Sequence, residues 1–353
     1  MNRAGNMGKQ NKPNQPGKPG KPELSKPELG KLGKLGRAIS SSILTSAVAL
    51  CLVWSPLSFA EDKIPYLLTV ASQGDLDTLK AMLDSGANIN VRDADGITAL
   101  MYAARKDQVK AVQLLLSKGA DINAVDSGGW SALMFAAKKN HIATIKLLLE
   151  KGADAKLRDP DGWSALGMAA TSGFHEAVDA LIKHGLDANA RSDDGKTILM
   201  FAAKNGDLAT LKTLIANGAN PALRDRQGAT ALMYAARAGN TDAMALLMDN
   251  GASVKDSDSS KWTALTWALQ KKEVSASTLL IARGADVNHR DEAGTPMLHY
   301  AVIEGSTELV RLLLQSGANV KTKDQYGLTA LVYALKGKDA EMVRMIRDAG
   351  GSY

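Results

Sequence analysis

Apolar and polar positions alternate along most of this chain with a fixed period. From about residue 64 onward, a short apolar segment, a turn and a longer apolar segment recur every 33 residues. A period of roughly 20 to 50 residues indicates a repeat array rather than several separate globular domains. The period is marked by one glycine per unit, at Gly86, Gly119, Gly152, Gly185, Gly218, Gly251, Gly284, Gly317 and Gly350.

Each unit carries start and stop signals for two helices. In the first complete unit, Asp95 and Gly96 form a turn signal, and Thr98 is placed to cap the short apolar segment that follows it. A second apolar segment covers residues 109–116 and ends before Gly119. Glycine at this position is typical of a helix C-terminus, where the backbone turns left-handed. The pattern therefore predicts a helix-turn-helix in every unit.

These segments resemble the hallmark sequences of the ankyrin repeat family. Thr98–Ala104 is similar to Thr-Pro-Leu-His-x-Ala-Ala, and Leu114–Asn123 is similar to Leu-Leu-x-x-Gly-Ala-x-x-Asn. The resemblance implies an all-α repeat fold, an ankyrin-type solenoid of stacked helix-turn-helix units with β-hairpin loops. The family's histidine is present only at His299, where we expect a hydrogen bond to a neighbouring unit. Lys261 replaces a turn glycine, so we expect that hairpin to be strained or reshaped.

The two ends of the array differ from its middle. Arg347 occupies a position that is apolar in the inner units, and the first unit starts directly with a helix near Pro65. Because terminal repeats need a polar outer side, both ends fit capping units. We predict a repeat domain over residues 61–353, with nine 33-residue units including the caps, and a monomeric solenoid.

Residues 1–60 have a different composition and predict a basic leader. They contain nine Lys or Arg and two Glu, which leaves 34 basic and 35 acidic residues in the rest of the chain. The apolar run Ile43–Trp54 is followed by Pro56 and by small residues up to Ala60. This order is typical of a secretory signal peptide cleaved between Ala60 and Glu61. It predicts a periplasmic or secreted protein.

Other interpretations of the leader stay open. A run of 12 residues is too short for a spanning helix, which needs about 20, so an uncleaved anchor is disfavoured. A lipoprotein would need a small residue before Cys51, and Leu50 stands there. The stretch ahead of the apolar run is unusually long, and translation starting further downstream would explain it.

Candidate reactive residues do not form a recognisable catalytic or metal-binding pattern. Cys51 is the only cysteine, and the five histidines occupy different units and different unit positions. Phosphate-binding, serine-hydrolase and zinc-protease motifs are missing from the sequence. We therefore predict no catalytic residue, no metal ligand and no cofactor. An enzyme or metal-dependent protein built on the scaffold remains the alternative, and a deep pocket with two or more His or carboxylates would favour it.

The position of the charges within the repeat predicts a binding surface. Two positions per unit follow the Ala-Ala pair of the short helix and face the concave side in the family's architecture. Eight of these sixteen residues are basic, and only Glu304 is acidic, although the repeat region is nearly neutral. We call six of them the basic stripe and predict that they bind a partner: Arg105, Lys106, Lys138, Lys139, Lys204 and Arg237.

Two tryptophans in adjacent units are further candidates. Trp130 and Trp163 follow the turn glycine, a variable concave position in the family, and exposed tryptophan is typical of binding hot spots. Packing against neighbouring hairpins is an equally good interpretation. Another position of the unit, occupied by aromatic residues such as Tyr102 and Trp267, is predicted to pack between units instead.

Together these features predict an exported, non-catalytic scaffold that binds an acidic protein partner in its concave groove. Exported ankyrin-repeat proteins of bacteria include periplasmic proteins and effectors delivered to a host. The signal segment favours the periplasmic group, and a host-directed effector is the alternative. Nucleic acid as a partner is disfavoured by the export signal and the neutral repeat region, and we expect no stable membrane insertion after cleavage.

Overall fold

The computed structural model describes residues 65–352, which fold into paired helices. The predicted leader, with its cleavage site and Cys51, lies outside the described residues. Odd-numbered helices are the first helix of each unit and even-numbered helices are the second. Their bounds are α1 Tyr66–Gln73, α2 Leu76–Asp84, α3 Ala99–Arg105, α4 Val109–Ser117, α5 Ala132–Lys138, α6 Ile142–Glu150, α7 Ala165–Thr171, α8 His175–Lys183, α9 Ile198–Asn205, α10 Leu208–Ala216, α11 Ala231–Arg237, α12 Thr241–Asp249, α13 Ala264–Gln270, α14 Val274–Ala282, α15 Met297–Ile303, α16 Thr307–Gln315, α17 Ala330–Lys336 and α18 Ala340–Asp348.

First helices are short and largely buried, and four of them begin at a side-chain cap. In α3, the Thr98 hydroxyl accepts a hydrogen bond from the Met101 N–H at 3.4 Å. The six residues Ala99–Ala104 are all buried. A helix this short is marginal by itself, so the burial of its small side chains between neighbouring units stabilises it. This packing explains the high alanine content of the repeat.

Second helices are amphipathic and bury one stripe. In α4, the buried residues are Ala111, Val112 and Leu115, whose spacing places them on one helix face. Full burial of a side chain such as Leu115 contributes about 2 kcal/mol. The opposite face carries exposed residues, including Lys110. The second helices therefore form the outer side of a single continuous core.

The backbone follows the predicted turns. Gly119 ends its unit with φ of 89°, in the left-handed region. Lys261 also adopts a left-handed conformation, with φ of 58°. Its N–H still donates to the Asp258 carbonyl at 3.0 Å, as glycine does in the other hairpins. The expected strain is present, while reshaping of the hairpin is not observed, because one hydrogen-bonded turn accommodates either residue.

The hairpin loops are held by an aspartate and an arginine. The Asp93 Oδ1 accepts hydrogen bonds from the N–H groups of Asp95 and Ile97, at 3.0 and 2.8 Å. The Arg92 Nη1 donates to the Val125 carbonyl of the next unit at 2.6 Å. Six of these loops contain one isolated antiparallel bridge, and the described residues contain no longer strand. The equivalent arginines Arg158, Arg191, Arg224 and Arg290 make the same donation 33 residues ahead.

Hydrogen bonds between side chains and backbone also join the units elsewhere. His299 Nε2 lies 3.0 Å from the Leu328 carbonyl of the next unit, which confirms the expected inter-unit role. Burial lowers the pKa of His299, so the neutral ring is the form that packs here. Within residues 65–352, no helix combines the length and the apolar character that crossing a membrane requires.

Candidate recognition surface

The basic stripe lies at the C-terminal ends of first helices. Arg105 and Lys138 occupy the last turns of α3 and α5, and Lys106 and Lys139 follow as C-caps. Cations at this end of a helix are favoured because they oppose the partial negative charge of the free carbonyl groups. Lys106 and Lys139 are exposed, whereas Arg105 and Lys138 are half-buried. The two remaining members lie in α9 and α11 and are exposed: Lys204 and Arg237.

Side chains from the following unit fix the backbone under part of the stripe. His141 Nε2 lies 3.1 Å from the Arg105 carbonyl, and Asn240 Nδ2 donates to the Lys204 carbonyl at 2.8 Å. Both bonds satisfy carbonyl groups that a helix C-terminus otherwise leaves without a partner. The cationic side chains therefore project from anchored backbone positions.

The stripe does not pair with acidic side chains of the described chain. Ion pairs within residues 65–352 involve other cations, such as Lys118 with Asp84 at 2.6 Å and Arg283 with Asp249 at 2.8 Å. Arg105 instead lies over the Tyr102 ring, with its guanidinium carbon 4.8 Å from the ring centroid. This arrangement leaves the charges of the stripe available to an external acidic group.

Both candidate tryptophans are half-buried at the opposite end of the first helices. The backbone N–H of Trp130 donates to the Asp126 carboxylate at 2.8 Å, and the backbone N–H of Trp163 donates to the Asp159 carboxylate at 2.7 Å. Both rings pack against the core, and the helix that separates Trp130 from Lys138 is about 10 Å long. The tryptophans and the cations thus border the same row of helices from opposite ends.

Aromatic contacts link the two ends. The Trp130 ring centroid lies 5.3 Å from that of Phe135, and the Arg105 guanidinium lies 5.9 Å from Phe135. Trp163 packs edge-on against Phe201 of the next unit, with centroids 4.7 Å apart. One face of each tryptophan is therefore occupied within the protein, and only the remaining area is open to a partner.

The aromatic position in the middle of the first helices packs between units, as predicted. Tyr102 and Trp267 are 9% and 8% exposed. Their polar atoms bind the hairpin aspartates: the Tyr102 hydroxyl donates to Asp93 at 2.8 Å, and Trp267 Nε1 donates to Asp258 at 2.9 Å. Sequence reasoning missed these bonds. A polar aromatic nine residues after the aspartate is the signal that could have revealed them.

The same bond perturbs the tyrosines that make it. The hydroxyl of Tyr234 donates to Asp225 at 2.7 Å. Burial and this carboxylate together raise the pKa of Tyr234, because both oppose the phenolate. The effect reflects the anchoring of a hairpin. A phenol with a raised pKa is unsuited to act as a base at neutral pH.

Histidines and carboxylates of residues 65–352 do not converge into a metal site of three or more ligands. His141 and His299 both contact backbone carbonyl groups of neighbouring units. These contacts give the two histidines structural roles in the stack.

Residues 65–352 form nine stacked helix pairs with one continuous core, which defines a helical-repeat solenoid, a class that presents extended surfaces. A comparison with protein-family profiles matches ankyrin repeats (3 copies) over residues 67–159, 151–225, 199–291 and 276–352. The chain belongs to the ankyrin repeat family. Members of this family are generally non-catalytic scaffolds for protein-protein interaction, which implies a protein partner. A comparison with curated proteins gave no match.

Proposed function

We propose that this chain is an exported scaffold whose basic stripe binds an acidic segment of a partner protein. The observation that carries the proposal is the absence, within the described residues, of any ion pair to the six cations of the stripe. Most lie in successive or nearby units, so an extended acidic segment that crosses the first helices would meet several of them. The two tryptophans would supply apolar contact at the other end of the same helices.

Electrostatics sets the expected behaviour of such a surface. Clustered charges raise the rate of association with an oppositely charged partner, and salt screens this effect over about 10 Å at 0.1 M. Arg105 also stacks on aromatic rings, which holds its guanidinium in a defined direction. We therefore expect binding that is fast at low salt and weakens as ionic strength rises.

Photo-crosslinking tests where the partner binds. Ser172 lies in the same row as the stripe but is uncharged and half-buried. A photoreactive residue at Ser172 of the full-length protein should crosslink to a partner through an acidic peptide, identified by mass spectrometry. The same residue at the exposed Lys146 of α6 is the control site. Crosslinks that form equally at Lys146 would contradict binding along the stripe.

Charge reversal tests the electrostatic part with the partner so identified. Lys138→Glu combined with Lys139→Glu should slow association at low salt by at least about tenfold and flatten its salt dependence. Lys146→Glu combined with Lys151→Glu makes the same change of net charge on the outer side and should leave association nearly unchanged. Equal slowing by both pairs would show that the stripe has no specific role.

Export is the second part of the proposal, and it is supported by the order of charged, apolar and small residues in the leader. We expect the mature protein to begin at Glu61 and to be recovered from the periplasm or the medium. Mass spectrometry of the fractionated protein measures this directly. An intact N-terminus, or a lipid attached to Cys51, would overturn it.

A further inference from the structure

A cavity of about 630 Å³ separates the loop that follows α6 from the loop that follows α8. It lies at the hairpin end of the units, away from the basic stripe. Its floor is aliphatic, formed by Leu149, Leu166 and Leu186 with several alanines. The volume falls within the range of about 300 to 1,000 Å³ that small-molecule sites occupy.

A contact between successive loops is missing where the cavity opens. One unit earlier, the Asn123 Oδ1 accepts the Asp154 N–H at 2.8 Å and ties two successive loops together. We call this bond the loop latch. The cavity at that junction measures only about 260 Å³, and Ile122 lines it. In the next loop, Lys156 and Ala155 replace the asparagine and the isoleucine. A lysine cannot accept a hydrogen bond, so Lys156 leaves the loops apart.

A bond between hairpins is also missing at this junction. Ser127 N–H donates to the Asp95 carbonyl of the preceding hairpin at 2.9 Å. The equivalent bond at the cavity junction would join the Asp193 N–H to the Asp161 carbonyl, and it is missing from the described residues. Ser164, which lines the cavity, makes no capping bond to α7. Its hydroxyl is therefore available to a ligand.

Charges of both signs line the rim. Lys156 and Arg158 are matched by Asp154 and Asp187, so the rim has no net charge when His184 is neutral. One oxygen of each carboxylate accepts a backbone N–H, at 2.9 Å for Asp154 and 2.8 Å for Asp187. The second oxygen of each carboxylate has no partner in the described chain.

His184 adds a defined acceptor. Its Nδ1 lies 2.8 Å from the Ala180 carbonyl. Because a carbonyl only accepts, Nδ1 carries the proton in this bond, and Nε2 of the neutral ring is left as an acceptor. The rim thus offers donors and acceptors around an apolar floor.

We propose that this cavity binds a small zwitterionic molecule with an aliphatic body, the chemistry of a short apolar peptide. Its side chains would cover the leucine floor. Its ammonium group would pair with Asp154 and Asp187, and its carboxylate with Lys156 and the Ser164 hydroxyl. The balanced rim disfavours a ligand of one charge, since either carboxylates or cations would then be left unmatched.

Isothermal titration of the full-length protein with the dipeptide Leu-Leu tests the site. Lys156→Asn restores the latch acceptor opposite the Asp187 N–H, so it should close the cavity and raise Kd by at least about tenfold. Since this change adds a hydrogen bond, the variant should keep or raise the melting temperature, which separates loss of the site from misfolding. Lys255→Asn, the same substitution in the loop after α12, is the matched control and should bind like the wild type.

Two related probes test the charge requirement. The dipeptide with an acetylated N-terminus and an amidated C-terminus should bind at least about tenfold more weakly than Leu-Leu. Decanoate, which has an aliphatic body and a single negative charge, should also bind weakly. The proposal is wrong if Leu-Leu does not bind, if Lys156→Asn leaves its affinity unchanged, or if decanoate binds as tightly as the dipeptide.

Discussion

Gly167 and Trp163 provide the sharpest test of how the first helices stack. Gly167 lies inside α7, at a position where four of the other eight units have methionine. A Cβ atom at Gly167 would overlap the Trp163 Cε3, far inside van der Waals contact. The indole ring therefore occupies the space that a side chain fills in the neighbouring units.

The structure sets the magnitude of each substitution. Trp163 is half-buried, so Trp163→Ala should cost about 2 kcal/mol, roughly half the loss for a fully buried aromatic. Gly167→Ala gains about 1 kcal/mol of helix propensity but overpacks against the ring by about 1 to 3 kcal/mol. Once Trp163 is removed, only the gain remains. The two substitutions should therefore couple by about 1 to 3 kcal/mol.

Urea unfolding followed by far-UV circular dichroism measures this cycle in the full-length protein. Because repeat arrays can lose cooperativity, hydrogen exchange of the α7 amides should report the same coupling. Gly337→Ala is the control, since its Cβ would lie 3.5 Å from the nearest atom, an ordinary contact. It should have the same effect with and without Trp163. Equal effects of Gly167→Ala in both backgrounds would refute the packing of the ring on the glycine.

Three other positions of the repeat array test a hydrogen bond, a strained turn and the stacking of the last unit. A hydrogen bond to Asp324 raises the pKa of Tyr333 to about 12, so the stability that this bond contributes is complete below pH of about 10 and is lost as the pH rises through 12. Tyr333→Phe should flatten the fall of the urea midpoint in this window, and an unchanged fall would contradict the bond. Lys261→Gly should raise stability by about 1 kcal/mol because it removes left-handed strain, and a lower urea midpoint would contradict that reason. Ending the chain after Ser316 should expose the core around Leu313, so a soluble product with an unchanged melting temperature would contradict stacking as the source of stability.

The helical array could be predicted from the sequence because every unit repeats the same local signals. Gly119 and its copies mark left-handed turns that few other residues adopt, and Thr98 and its copies mark helix starts. These signals act over a few residues and do not depend on distant contacts. The period then places successive units side by side, so the packing role of Tyr102 could also be predicted.

Contacts that cross between units could not be predicted in the same way. The arginines that occupy the position of Arg92 in successive units resemble a row of surface charges in the sequence. In the structure they donate to backbone carbonyl groups of the next unit. Sequence does not show which carbonyl groups lack a partner. The cavity beside Lys156 is equally hidden, because it lies where both the latch to Asp187 and the hairpin bond from the Asp193 N–H to the Asp161 carbonyl are missing.

The two ends of the first helices therefore use their charges differently. At the hairpin end, Arg92 and Asp93 are engaged in hydrogen bonds that hold the loops, and their loss would leave polar groups of the stack unsatisfied. At the opposite end, Lys138 and Lys139 make no ion pair with the described chain. His141 contacts the Arg105 carbonyl group there, so the backbone is held without the side chains of these lysines. Substitutions at the hairpin end should change the free energy of unfolding, whereas substitutions in the basic stripe should change association and leave unfolding nearly unaltered. A nearly neutral repeat region can then carry a cluster of unpaired cations, because aspartates such as Asp93, Asp126 and Asp159 are engaged by the hairpins themselves.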